Sequence, residues 1–186
     1  MEQVEKDYRS GIRRMEALGF SDIGNLAMWS VSSYKIGFGV DALRADDASK
    51  LWQSDGPQPH YVDIHFSKKV SIVRVSLFFC FGLDESYTPS KIRILSGDGY
   101  HTLLEVTTVD FAEPSGWSHI TFDSVRSDGI MKSFLIRVEV LTNHQNGKDT
   151  RIRSIKVFSP SKQNIALEDQ EIGFTSVKML SESVIR

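Results

Sequence analysis

Short runs of alternating apolar and polar residues, separated by glycine- and proline-containing turns, constrain the fold of this chain more than any other feature. In residues 61–66, for example, Val62, Ile64 and Phe66 alternate with Tyr61, Asp63 and His65, which is the period of a half-buried strand. Short strands at this spacing, without helical patterns long enough for repeated βαβ crossovers, favour an all-β sandwich over an α/β fold. Strands are also predicted at 27–33, 71–81, 91–95, 117–122, 134–141 and 151–158.

Three local features refine this prediction. The apolar alternation from Val73 to Phe79 places one face of a single strand, 71–81, toward the core. Ile152 is out of phase with Ile155, which predicts a β-bulge in the last strand. Asp41 is predicted to cap a short helix over residues 42–44.

The chain has 186 residues, which fits one domain with tails. A helix is predicted over residues 2–18, with Val4, Tyr8, Met15 and Leu18 on one face and Gly19 at its end. We expect an N-terminal extension at 1–21, a β-sandwich domain at 22–160, and a C-terminal tail at 161–186.

Charge and cysteine content exclude several classes of function. The net charge is −2 and the isoelectric point is about 6.2. The chain therefore lacks the excess of basic residues that would indicate binding to nucleic acid or to an anionic membrane. The single cysteine, Cys80, excludes an internal disulfide framework and fits a reducing compartment. No apolar run approaches the roughly 20 residues of a membrane span, and no signal peptide is evident. We therefore expect a nuclear and cytoplasmic protein.

No set of residues predicts catalysis or a cofactor. Cys80 lies in an apolar run, 77–81, and is expected to be a buried, inert thiol. The five histidines form no His-x-x-x-His pair, and no Cys-x-x-Cys pair exists, so a zinc site is not expected. A structural calcium site remains an alternative, although the spacing of the aspartates is not that of an EF-hand. The aspartates that would contribute to it are Asp46, Asp47, Asp55 and Asp63.

Two polar clusters follow apolar strands directly, at 84–90 and 141–150. Polar loops on a rigid sheet are common positions for binding function. In the first cluster, Tyr87 offers a large contact area with a polar tip. In the second, the sequence allows a plain hairpin, with Asn146 and Gly147 in a type I′ turn. Such a turn is compatible with recognition, since it would present the preceding polar side chains rigidly.

Several separate motifs together resemble the Doc-domain subunit family of the anaphase-promoting complex, a cell-cycle ubiquitin ligase. The resemblance covers about residues 22–160, although Ile36 stands where proline is expected in many relatives. It implies a jelly-roll β-sandwich related to galactose-binding and discoidin-type domains. The motifs are residues 29–33, 35–41, 51–56, 84–92, 113–117 and 143–150.

The resemblance also implies a function. It implies a non-catalytic substrate receptor that, with a WD40 activator, holds the destruction-box degron of cyclins and other substrates and promotes processive ubiquitination. It implies that a C-terminal Ile185-Arg186 dipeptide docks on a tetratricopeptide-repeat subunit of the complex, and that the scaffold of the complex is a further partner. The degron-binding candidates that it implies are Asp84, Ser86, Tyr87, Asn143, His144 and Gln145.

Three alternatives remain open from the residues. A free carbohydrate-binding, lectin-like sandwich would be expected to carry disulfides, a secretion signal and exposed aromatic side chains. A Doc-like module of another ubiquitin ligase would be expected in a much longer chain. An enzyme would need a nucleophile, metal or phosphate-loop motif.

Overall fold

The computed structural model describes residues 1–160, in which two antiparallel sheets pack face to face. The prediction of an all-β sandwich is confirmed. The strands are β1 (Phe20–Asp22), β2 (Ala27–Val31), β3 (Trp52–Gln53), β4 (His60–Ile72), β5 (Arg74–Cys80), β6 (Pro89–Gly97), β7 (Leu104–Asp110), β8 (Ser115–Thr121), β9 (Met131–Asn143), β10 (Arg151–Ile152) and β11 (Ser154–Pro160). The helices are α1 (Glu2–Ala17), α2 (Val40–Arg44) and α3 (Phe81–Asp84).

One sheet has five strands in the order β2-β4-β9-β6-β7, and the other has four in the order β1-β11-β5-β8. A two-stranded ribbon, β10-β3, closes one end. The core lies between the sheets and is made by the inward-facing residues of both, because alternation places every second side chain there. Its largest fully buried members include Trp52, Phe66, Phe79, Phe122 and Ile64.

The prediction of one strand over residues 71–81 is wrong. Ser71 and Ile72 end β4, and Arg74 begins β5 in the opposite sheet. At Val73, between them, the backbone N–H donates to the carbonyl oxygen of Phe158 at 2.9 Å. The apolar alternation in the sequence runs on from Val73 to Phe79, but the core-facing positions change phase at the crossover, from Ile72 to Val75. Local periodicity therefore does not reveal where the chain changes sheet.

The predicted bulge at Ile152 is also wrong. Ile152 pairs with Trp52 in the two-stranded ribbon, and Arg153 separates it from β11. The predicted cap at Asp41 is wrong as well, since Gly39 is the residue that precedes α2 and Asp41 lies in its first turn without a capping bond.

Strand β7 was not predicted from the sequence. Its register with β6 shifts where Ile94 pairs with Thr107 and Leu95 pairs with Glu105, which leaves Val106 between the two pairs. This irregularity breaks the period of 2 on which strand prediction depends.

The predicted N-terminal helix is confirmed as α1, which packs on the outer face of the four-stranded sheet. Tyr8 is buried against Phe78 and Trp117, with both ring centroids 5.1 Å away. The indole Nε1 of Trp117 donates to the carbonyl oxygen of Tyr8 at 2.9 Å. Gly11 lies at this contact because a Cβ there would collide with the indole ring. Among residues 1–160, no helix has the length and apolar character needed to cross a membrane.

Candidate functional site

Three loops meet at one end of the sandwich: 54–59, 81–88 and 143–150. The side-chain amide of Gln58 donates to the carbonyl oxygen of Lys148 at 3.1 Å. This contact joins the first loop to the third. We call this end of the molecule the loop end.

The loops 81–88 and 143–150 lock directly onto each other. The backbone N–H of His144 donates to the carbonyl oxygen of Thr88 at 2.9 Å. Gly147 lies so close to the carbonyl group of Ser86 that a Cβ at this position would collide with it. The two polar clusters predicted from the sequence therefore form one surface.

The predicted type I′ turn at Asn146-Gly147 is wrong. The positive φ angles fall one residue earlier, on Gln145 (51°) and Asn146 (56°), while Gly147 has φ −58°. The strand that follows, β10, pairs with β3 and not with β9, so the loop is not a hairpin. Gly147 is needed here for close packing and not for a left-handed backbone.

Asp84 lies in the interior beneath the loop end and is only 3% exposed. Its two carboxylate oxygens accept hydrogen bonds from Nε and Nη2 of Arg153 at 2.7 and 2.9 Å. Arg153 also donates from Nη1 to the carbonyl oxygen of Ala48 at 2.9 Å. This buried bidentate pair ties loop 81–88 to the start of β11 and to the segment before β3.

Tyr87 is half-buried, and its ring lies under the guanidinium group of Arg151. The guanidinium carbon is 4.0 Å from the ring centroid, which is a cation–π contact. Arg151 is held in place by Gln53, whose side-chain oxygen accepts a hydrogen bond from Nε of Arg151 at 3.0 Å. The ring of Tyr87 therefore has a set orientation at the surface.

Asn143 is buried and braces the third loop from inside. Its Nδ2 donates to the carbonyl oxygens of Gly147 and Asp149 at 3.2 and 2.9 Å. Its Oδ1 is buried without a hydrogen-bond partner among residues 1–160. Both N–H donors of the Asn143 amide therefore hold the backbone of the loop.

His144 and Gln145 follow Asn143 in the same loop, where Gln145 is exposed along with Asn146 and Lys148, and His144 is half-buried. The ring of His144 packs edge-on against Phe81 with centroids 5.0 Å apart, and its Nε2 is buried and has no hydrogen-bond partner within the described part of the chain. Ser86, from loop 81–88, is half-buried.

The sequence did not indicate three contributors to this surface. Arg151 and Phe81 orient the rings of Tyr87 and His144, and the side chain of Leu83 is 49% exposed beside them. Arg151 follows the second polar cluster directly, but nothing local shows that its side chain turns toward the first.

Cys80 and the Ser76–His119 pair do not lie on the surface of the loop end. Cys80 is buried, as predicted. The hydroxyl of Ser76 lies 2.8 Å from Nδ1 of His119, but Ser76 is fully buried. Burial, followed by the charges of Arg74 and Arg14, lowers the pKa of His119.

The aspartates of the alternative calcium site do not converge. Asp63 forms a bidentate ion pair with Arg137 at 2.7 and 2.8 Å, and Asp46 pairs with Lys156 at 2.6 Å. In the described residues, no three His, Cys, Asp or Glu side chains are grouped so as to hold a metal ion. The chemistry that the loop end offers is hydrogen bonding and aromatic contact.

Comparison with known proteins gives a family match along nearly the whole chain. A family model described as anaphase-promoting complex, subunit 10 (APC10), matches residues 2–184. The chain is 45% identical over 168 residues to "Anaphase-promoting complex subunit 10" of Schizosaccharomyces pombe, covering 90% of this chain and 89% of that protein. It is 43% identical over 143 residues to the Homo sapiens protein of the same name, covering 77% of each.

Solved structures with a similar fold include carbohydrate-binding modules of Clostridium perfringens. The family 32 module of NanJ, in complex with galactose, has a TM-score of 0.61 at 11% identity and covers 73% of this chain and 96% of that one. The CBM32-1 and CBM32-2 domains of ZmpB give a TM-score of 0.67 at 10% identity, covering 81% and 38%. At such low identity, these similarities establish the jelly-roll fold alone.

Proposed function

Because the chain belongs to the subunit 10 family of the anaphase-promoting complex, we propose that it is a non-catalytic substrate receptor of that complex. In this proposal its loop end holds the destruction-box segment of a substrate together with a WD40 activator. Because both proteins bind the same segment, the substrate stays bound through several rounds of ubiquitin transfer. We also propose that it works in the nucleus and the cytoplasm, where cell-cycle substrates are found.

The observation that carries this proposal is the locked pair of loops at the loop end. Their backbones are fixed by buried bonds, while Tyr87, His144 and Gln145 remain at least partly accessible. An extended peptide offers backbone amides and short side chains, which suit a preorganised surface of aromatic edges and amide groups. Preorganisation lowers the entropy cost of holding such a peptide.

The six candidate residues divide into two roles in this proposal. Asp84 and Asn143 are positioning residues, because both are buried and their bonds go to Arg153 and to the loop backbone. The partly exposed Ser86, Tyr87, His144 and Gln145 are the contact residues.

A peptide held between two receptors does not need high affinity for either one. Binding to the second receptor becomes intramolecular once the first has bound, so the effective concentration raises the overall affinity. We therefore expect the isolated chain to bind a destruction-box peptide weakly and the complex with activator to bind it well.

A reconstituted ubiquitination assay on a cyclin-type substrate tests the proposal. Replacing His144 and Gln145 with alanine should shorten the ubiquitin chains formed per binding event, because two contact side chains are lost. The matched control is His101→Ala, since His101 is exposed outside the loop end. Equal chain lengths for the double variant and the control would contradict the proposal, provided that all variants enter the complex.

A further inference from the structure

A second surface, next to loop 54–59 of the loop end, is formed by the turn Lys35-Ile36-Gly37-Phe38, which we call the Ile36 turn. The two surfaces adjoin where the backbone N–H of Asp55 donates to the hydroxyl of Ser33 at 3.1 Å. Phe38 N–H donates to the carbonyl oxygen of Lys35 at 2.9 Å, and Gly37 has φ +89°, as a type II turn requires. Gln53 closes the base, since it accepts from Lys35 N–H at 2.9 Å and donates to Phe38 at 3.0 Å.

The segment leading into the Ile36 turn is anchored to the core. The indole Nε1 of Trp52, which is fully buried, donates to the carbonyl oxygen of Ser33 at 2.9 Å. The ring of Tyr34 lies over Gly39, 3.4 Å from the position that a Cβ would take there. The turn is therefore held in one shape and is not a loose loop.

This rigid turn exposes apolar side chains to an unusual degree. Ile36 is 93% exposed, and its neighbours Tyr34 and Phe38 are 58% and 38% exposed. Gly37 has nothing within 4 Å of a Cβ position, so the tip stands clear of the rest of the molecule. A rigidly presented apolar group that the fold itself does not use marks an interaction site.

Two hollows flank the Ile36 turn, with cavity volumes of about 370 and 470 Å³. The larger lies between the turn, β2 and α2, and its lining is apolar apart from Ser30, Tyr34 and Asp41. Asp41 lines both hollows and is the one charged residue of the larger. Within residues 1–160 its carboxylate forms no ion pair.

We infer that the Ile36 turn docks on a folded subunit of the anaphase-promoting complex. The partner surface is an apolar groove that receives Ile36, with a lysine or arginine at its rim that reaches Asp41. A convex apolar tip fits a groove in a folded protein, whereas a single extended peptide would fit a concave surface better. This docking goes beyond the proposed substrate binding and does not depend on it.

Site-specific crosslinking identifies the partner directly. A photoreactive phenylalanine analogue placed at position 36 would be irradiated in the complex reconstituted from purified subunits, with and without a cyclin-type substrate. We expect a crosslink to another subunit that is the same in both conditions. A crosslink only to the substrate, or none, would overturn the inference.

Affinity measurements supply a second test that separates docking from folding. Ile36→Asp should weaken association with the remaining subunits by about tenfold or more, as expected for the loss of a buried anchor. Leu104→Asp is the control, because Leu104 is 74% exposed on β7. Asp41→Lys should weaken association, whereas Asp41→Glu should retain most of the wild-type affinity because it keeps the carboxylate. Retention of Ile36→Asp equal to that of the control, with both variants folded, would overturn the inference.

Discussion

At the scale of single residues, the loop end depends on groups that never reach its surface. Asp84, Asn143 and Gly147 each make or permit a contact that fixes a loop backbone. The residues that face solvent, such as Gln145, take their positions from these buried groups. Substitutions at the buried positions are therefore expected to act on both stability and binding.

Gly147→Ala is expected to separate the two loops. Its Cβ would collide with the carbonyl group of Ser86, so the cost is that of overpacking, about 1–3 kcal/mol of the free energy of unfolding. Gly99→Ala is the matched control, because nothing lies within 4 Å of a Cβ there. Denaturant unfolding of both variants measures the difference, and equal stability would contradict the close approach.

Asp84→Asn is expected to cost about 3 kcal/mol or more of the free energy of unfolding, because it leaves the buried charge of Arg153 without its partner. Asp110→Asn should cost at most about 1 kcal/mol, since the Lys91–Asp110 pair is exposed. Urea titration monitored by tryptophan fluorescence compares the two. Similar midpoints would show that the Asp84–Arg153 pair does not contribute to stability.

At the scale of elements, α1 belongs to the folded unit as a cover for the four-stranded sheet. Phe78 and Trp117 point outward from β5 and β8 and would face water without it. The hydroxyl of Tyr8 lies 3.3 Å from Ser154 and 3.4 Å from Asp46, and burial raises the pKa of Tyr8. The helix thus contributes both apolar burial and polar contacts.

Tyr8→Ala is expected to lower the free energy of unfolding by about 3 kcal/mol, since it leaves a cavity between the helix and the sheet. Leu18→Ala should have little effect, because Leu18 is more than half exposed directly after α1. Thermal unfolding followed by circular dichroism measures both. An unchanged melting temperature for Tyr8→Ala would mean that the helix packs too loosely to stabilise the sandwich.

At the scale of the whole molecule, the proposed contacts divide by location. The loop end is assigned to the substrate, and the Ile36 turn is assigned to a subunit of the complex. Gln53 lies between them, since its backbone closes the turn and its side chain holds Arg151. The proposed Ile185-Arg186 contact would add a third attachment, and it lies outside the described residues.

Removal of Ile185 and Arg186 is expected to weaken incorporation into the complex without changing the stability of the sandwich. An apolar side chain and a guanidinium group together can fill a pocket and form charge-assisted hydrogen bonds. Co-purification with the tetratricopeptide-repeat subunits measures incorporation, and the melting temperature is the control. Unchanged co-purification would contradict the proposed tail contact.

The sequence alone determined the all-β class, the N-terminal helix and the two polar clusters, because side-chain periodicity and turn residues are local properties of the chain. Tertiary structure decided where the chain changes sheet at Val73, that Arg153 pairs with Asp84, and that Gly147 meets Ser86. These features depend on contacts between segments far apart in sequence. Whether a polar side chain is buried and supports a loop, or is exposed and available for binding, depends on which other segments pack over it. The residue pattern of a single strand does not show this.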